Sequence, residues 1–197
     1  MQPSPDSLVA DRAPLRLRHF VDTLDALIDR TTDEAKLLAD GGRALASLVA
    51  QDDWLPDAYA VPNPDRYTQY LLYRDPAARY SVVSFVWGPG QSTPVHDHTV
   101  WGIVGVLRGA EIGERYAVGS DHLEKLVSER LEAGAIDPVS PRVGDVHRVR
   151  NAFDDRVSIS IHVYGADIGA VRRHIFDEAG RPKEFISGYA DAPGLSF

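Results

Sequence analysis

Cysteine is absent from all 197 residues. Disulfides, thiolate metal sites and a cysteine nucleophile are thereby excluded. Long apolar runs are missing too. The longest candidates, Tyr80–Trp87 and Ile103–Leu107, fall far short of the roughly 20 residues a membrane helix needs. The opening stretch Met1–Pro14 carries Pro3, Asp6 and Asp11 and has no basic start followed by an apolar run, so it is not expected to be a secretory signal. Together these absences read as a cytoplasmic protein. Basic residues are in short supply: 21 Lys and Arg stand against 29 Asp and Glu, a net charge of −8, and no basic block exceeds Arg172–Arg173. Such a chain is not expected to bind nucleic acid or an anionic membrane. An anionic small molecule would need a site that supplies its own positive charge.

What remains is ordinary globular composition, with 44% hydrophobic and 25% charged residues, at a length that suits one domain. Leu17, Phe20, Val21, Leu24, Leu27 and Ile28 fall at helical spacing within Leu15–Arg30, predicting an amphipathic helix. Thr32–Gln51 opens with Thr32, Asp33 and Glu34, a helix start, and Gly41–Gly42 is expected to interrupt it. After the proline-dotted stretch from Asp53 to Asp65 the period changes. Tyr67–Tyr73, Ser81–Trp87, Val100–Leu107, Glu111–Val118, Leu123–Leu131, Gly144–Val149 and Arg156–Tyr164 are short and rich in Val, Ile and Tyr, with Gly and Pro between them. That pattern predicts an all-β sandwich or barrel. Gly169–Phe176 reads as a short closing helix, and the tail beyond Gly180 reads as irregular. The expected organisation is one domain over 1–197: a helical cap and linker to residue 65, a β-barrel over 66–176 and a tail over 177–197.

The chemistry concentrates in the histidines. His96 and His98 stand at i and i+2 in Thr93-Pro94-Val95-His96-Asp97-His98. On extended backbone both imidazoles share one face and Asp97 points away, so two neutral imidazoles can take adjacent positions on one ion. By itself the HxH pattern is common on protein surfaces. Its flanks carry more: Gly90 precedes His96, Gly109 follows His98, and further on come Gly144, His147 and Asn151.

These residues resemble the two signature motifs of the cupin superfamily, G-x5-H-x-H-x3-E-x6-G and a second motif ending G-x2-H-x3-N. The resemblance implies a double-stranded β-helix (jelly-roll) barrel and assigns His96, His98 and His147 as metal ligands. The chain departs from the pattern where cupins usually place a glutamate ligand, because Gly102 stands there. Three neutral imidazoles suit iron, copper, zinc and nickel alike, so the ligand set leaves the metal open.

Ser158-Ile159-Ser160-Ile161-His162-Val163-Tyr164 alternates without error, which puts Ser160, His162 and Tyr164 on one strand face. With the HDH segment and the Gly144-Asp145-Val146-His147 segment, this strand makes the chain similar to the thiol dioxygenase branch of the cupins, the cysteine dioxygenase type I family. The likeness implies one Fe(II) per chain on the three histidines. It also implies a Ser160–His162–Tyr164 relay and a reaction that adds both atoms of O2 to a small thiol to give a sulfinic acid. Animal-type members join a cysteine to the active-site tyrosine; the matching position here is Gly102, so Tyr164 is expected to be a free phenol.

Two positions bear on the thiol. Animal-type enzymes carry arginine in a Tyr-Thr-Arg segment, whereas this chain reads Tyr67-Thr68-Gln69. It resembles instead the glutamine-type bacterial subgroup that is similar to 3-mercaptopropionate dioxygenases, which places an arginine after the S-x-H-x-Y strand. Arg172 and Arg173 stand there, and Arg173, with Gln69, is the expected substrate contact. An arginine fork neutralises a carboxylate and gives it two directed hydrogen bonds. The reading is therefore 3-mercaptopropionate oxidation, with cysteine oxidation and a non-catalytic metal-binding cupin as alternatives. His19, His122 and His174 are expected in surface roles, and Trp54, Trp87 and Trp101 in the core or a cavity wall. Oligomeric state is left open.

Overall fold

The computed structural model describes residues 11–197, so most of the Met1–Pro14 stretch that argued against a secretory signal lies outside the described residues. A two-residue strand β1 (Asp11–Arg12) leads into helices α1 (Leu15–Arg30) and α2 (Glu34–Val49). Leu17, Phe20, Val21, Leu24 and Leu27 are buried along one stripe of α1, each worth about 1.5–3 kcal/mol. Helix α2 starts where Asp33 accepts a hydrogen bond from the Ala35 N–H at 3.0 Å, an N-cap worth about 1 kcal/mol. The expected break at Gly41–Gly42 does not occur. A Cβ on Gly41 would come within 2.9 Å of Ile103 Cδ1. The glycine lets α2 lie against the sheet, and that packing outweighs a helix penalty of about 1 kcal/mol.

The rest is mainly β. Strands β2 (Thr68–Arg74), β3 (Ser81–Trp87), β4 (Val95–His96), β5 (Gly102–Arg108), β6 (Ala110–Val118), β7 (Leu123–Glu132), β8 (Ile136–Val139), β9 (His147–Asn151) and β10 (Ser158–Tyr164) follow in order. They end with β11 (Arg173–Phe176), β12 (Pro182–Phe185) and β13 (Leu195–Ser196). One sheet runs β2-β3-β10-β5-β8 and the other β12-β11-β4-β9-β6-β7. Their strand pairs are antiparallel. The result is the two-sheet jelly-roll expected from the motifs, with two helices added at the N-terminal end.

Every residue of β3 and β10 is buried, because the first sheet is covered on both faces. Val82, Val86, Ile159, Ile161 and Val163 pack with α1 and α2 in one core. Val83, Phe85, Trp87 and Tyr164 point the other way, into the barrel, where Val149 and Ile168 join them. The polar face of β10 thus lines the barrel interior and does not meet solvent. Asn151 closes one end, donating to the carbonyls of Trp87, Gly88 and Arg156 and bonded through Oδ1 to Ser158 Oγ at 2.8 Å.

Two readings of the C-terminal region are corrected. Arg173–Phe176 is strand β11, not part of a helix, because it finds partners on both sides, β12 and β4. A segment this short carries too few residues for its period to separate helix from strand. The tail is also less irregular than expected: β12 extends the second sheet, and β13 pairs in parallel with β1. No helix among the described residues is long and apolar enough to cross a membrane.

Candidate metal centre

His96 on β4 stands directly opposite His147 on β9, and directly paired residues hold their Cβ atoms about 4.5–5.5 Å apart. His98 follows two residues later, where the chain turns sharply at Thr99, which has a φ of +61°. Asp145 holds that turn, accepting from the His98 and Thr99 N–H groups at 3.0 and 2.9 Å while lying 2.9 Å from His98 Nδ1. The three imidazoles converge so that one ring nitrogen of each lies within 4.8 Å of the others. Ring centroids are 4.7–4.9 Å apart.

These side chains fit a divalent ion. Burial pushes the His96 pKa down to about 4 and holds His98 and His147 well below the ordinary imidazole range, so all three offer lone pairs at neutral pH. His96 Nδ1 is 3.0 Å from the Pro94 carbonyl and His98 Nδ1 faces Asp145, which leaves each Nε2 for a ligand. His98 Nε2 is buried with no hydrogen-bond partner, an orphaned acceptor of the kind a metal satisfies. The space a fourth side-chain ligand would need at residue 102 is taken. A Cβ on Gly102 would lie 2.7 Å from Tyr164 Cδ1.

Behind the histidines runs a hydrogen-bonded chain. Tyr164 Oη lies 2.8 Å from His162 Nδ1, His162 Nε2 lies 2.8 Å from Ser160 Oγ, and Trp87 Nε1 donates to the same Ser160 oxygen at 3.1 Å. The Tyr164 ring stacks on His98 with centroids 5.1 Å apart, and His162 stacks on Phe85 at 4.0 Å. Burial lowers the His162 pKa to about 3 and raises that of Tyr164 above the ordinary phenol value. The imidazole is neutral and the phenol keeps its proton.

A cavity of about 230 Å³ opens on His96 and Tyr164. Arg173 and Gln69 both line it, with Tyr67, Ser187 and an apolar wall that includes Phe85, Ile175 and Phe185. Arg173 is 3% exposed. It donates to Ser187 Oγ at 2.6 Å, lies 4.7 Å over the Phe185 ring, and has a buried Nε with no partner. Among the described residues no carboxylate forms an ion pair with it, and none lines the cavity. Arg172 is elsewhere, largely exposed and paired with Glu184, and Gln69 commits its Nε2 to the Gly188 carbonyl at 2.8 Å.

Several participants went unread in the sequence. Asp145 sits two residues before His147, inside a motif already singled out, and that position was the available signal. Asp97, which does point away from the histidine face, bonds His174 through its N–H at 2.7 Å and its Nδ1 at 2.8 Å. This ties β11, and Arg173 on it, to the histidine loop. His174 is therefore an anchoring strand residue rather than a free surface one. His122 is exposed and pairs with Asp121. Ser187 and Phe185 come from the tail, where no pattern announced them.

A family model described as "Cysteine dioxygenase type I" matches residues 16–178. Among solved structures, a double-stranded β-helix protein of Klebsiella pneumoniae is 17% identical, covering 70% of this chain and 98% of its own, with a TM-score of 0.46. A cupin-like protein of Thermotoga maritima is 19% identical, covering 57% of this chain and 80% of its own, with a TM-score of 0.44.

Proposed function

We propose, since this chain belongs to the cysteine dioxygenase type I family, that it is a non-haem Fe(II) thiol dioxygenase acting on a small thiol that carries a carboxylate and no amine, 3-mercaptopropionate above all. Membership points to an oxidoreductase that combines a small thiol with O2. The observation that carries the finer reading is Arg173, a buried guanidinium with no ion pair among the described residues, facing the cavity beside His96 and Tyr164. An unpaired buried cation is costly, and a bound carboxylate relieves it through a two-pronged, charge-assisted pair. Cysteine would bring an α-ammonium into a cavity that already holds a cation and has no carboxylate lining it.

His96, His98 and His147 would hold the iron, which when bound supplies Lewis acidity toward the thiol and electron transfer between the thiol sulfur and O2. The chain does the rest. Arg173 fixes the substrate's carboxylate end and so sets how far its sulfur reaches toward the histidines. Phe85, Ile175 and Phe185 keep water from the apolar middle of the substrate. Tyr164, oriented through Oη by His162, presents a protonated phenol to the reacting end, where it can hold or pass a proton.

Side-by-side O2 uptake by iron-loaded protein with 3-mercaptopropionate, cysteine, cysteamine and mercaptosuccinate tests the reading. The highest kcat/KM is expected for 3-mercaptopropionate, with sulfinate as product. No uptake with any of the four would end the dioxygenase reading, and a preference for cysteine or cysteamine would end the role given to Arg173.

A further inference from the structure

Glu111, on β6, is fully buried inside the barrel, and among the described residues neither of its carboxylate oxygens has a hydrogen-bond partner. It lies beside the Ser160 hydroxyl and the Trp87 N–H, both of which favour its charged form, yet neither closes a well-formed hydrogen bond to it. As a purely structural residue it is a poor choice. A dry carboxyl without partners costs several kcal/mol if ionised, and a leucine would fill the space more cheaply.

We propose that Glu111 is the proton acceptor at the far end of the Tyr164–His162–Ser160 chain, taking up the proton that a thiol gives off when it binds. This rests on the thiol dioxygenase reading above. The bonding at Ser160 supports the direction. An indole N–H only donates, so Trp87 occupies one lone pair of Ser160 Oγ. The single hydroxyl proton then points either to His162 or to Glu111. In the resting state this requires, Tyr164 donates to His162 Nδ1, His162 Nε2–H donates to Ser160, and the Ser160 hydroxyl proton turns toward the neighbouring Glu111 carboxylate, closing the contact that is left open in the structure. When the thiol binds, its proton passes to Tyr164 Oη as the phenol's own proton moves to His162 Nδ1. The Nε2 proton moves to Ser160, and the Ser160 proton to Glu111. One S–H bond is broken, one carboxyl O–H bond is formed, no electron moves, and the net charge of protein and substrate is unchanged. Burial, the larger influence, pushes the Glu111 pKa up to about 7 against the pull of Ser160 and Trp87, which suits a group that must take a proton and later return it.

Ferrous protein is mixed anaerobically with 3-mercaptopropionate at about pH 7.5, and released protons are counted with an indicator dye. That pH is below the ordinary pKa of a thiol and above that of the resting Glu111 carboxyl, which the negative charge of the bound thiolate raises further. Wild type is expected to release less than about half a proton per bound thiol, and Glu111→Gln about one, since the ligated thiol is deprotonated either way. Ser160→Ala cuts the same path and should release about one as well, with no further change in the double variant. In infrared difference spectra a protonated-carboxyl C=O band should appear on thiol binding in wild type and be missing from Glu111→Gln. Full proton release by wild type, or the same band in both proteins, would overturn the proposal. Should the thiol fail to bind at all, the dioxygenase reading falls separately. The carboxyl band of the metal-free protein then decides: a Glu111 that stays ionised from about pH 5 to 9 is no proton acceptor.

Discussion

Replacing Arg173 by methionine moves stability and binding in opposite directions, which distinguishes a ligand-holding residue from a fold-holding one. The guanidinium is 3% exposed, bonded to Ser187 Oγ, stacked over Phe185 and unpartnered at Nε. Removing it forfeits one hydrogen bond of about 1 kcal/mol and a cation–π contact of about 1 kcal/mol. It also relieves the desolvation of a buried cation, several kcal/mol per ion, and the unsatisfied Nε–H, about 1–3 kcal/mol. Methionine fills most of the vacated apolar volume. The metal-free variant should therefore be as stable as wild type or more stable by about 1–3 kcal/mol. That corresponds to an unchanged Tm or one raised by a few degrees at roughly 2–4 °C per kcal/mol. Binding goes the other way. Loss of a charge-assisted pair worth about 1.5–3 kcal/mol raises KM for 3-mercaptopropionate about 10- to 100-fold, whereas cysteamine, which has no carboxylate, should show no such rise. Calorimetry and initial-rate O2 consumption on the two proteins measure both sides. A Tm lowered by more than about 5 °C with KM unchanged would show that Arg173 serves the fold and would refute the reasoning.

Gly102→Ala forces a Cβ to 2.7 Å from the Tyr164 ring. Overpacking should cost about 1–3 kcal/mol of stability, and displacement of the phenol should lower kcat at least about tenfold; a variant with unaltered kcat would place Tyr164 outside the chemistry. The stability of the metal-free protein should fall as pH drops below about 6.5, the ordinary imidazole pKa. His96, His98, His147 and His162 are buried neutral with pKa values lowered, to about 4 for His96 and about 3 for His162. Between those values and 6.5 the unfolded chain binds more protons, so stability rises with pH there and levels off above. Glu111, raised to about 7, and the upshifted Asp137 and Asp145 act with the opposite sign, but four imidazoles outweigh them. Tm measured from pH 7.5 to 5 checks this, and a flat profile would contradict the burial of the histidines.

The elements most legible in the sequence are those whose pattern is long or strictly alternating. Ser81–Trp87 is the observed β3 residue for residue, Leu15–Arg30 is α1, and the alternation of Ser158–Tyr164 is realised as two buried faces with opposite partners. Failures came where a tertiary contact overrides a local preference or a segment is too short to show a period. Gly41 is a helix breaker by propensity, yet it permits the close approach of α2 to Ile103. β11 has only four residues and is a strand because β4 and β12 flank it. The two-residue β4 could not be seen at all, although it pairs His96 with His147.

The site divides along the same line, and for a physical reason. The histidines and the Ser160–His162–Tyr164 chain are readable because their geometry follows from short spacings. An i, i+2 pair shares a face on extended backbone, and an alternating strand presents every second residue to the barrel. What makes Arg173 a candidate for a carboxylate is not local. Its neighbour Arg172 has the same charge and nearly the same sequence context, yet it is exposed and paired with Glu184, while Arg173 is buried and forms no ion pair among the described residues. That difference is set by the tail, whose Phe185 and Ser187 enclose the guanidinium, and by Asp97, which ties β11 to the histidine loop through His174. Arg173 is the first residue of β11 and Arg172 lies just before the strand, so the docking of β11 buries the one and leaves the other exposed. Where β11 begins, and so which arginine is buried, depends on its pairing with β4 and β12, and no feature of the Arg172–Arg173 pair carries that information.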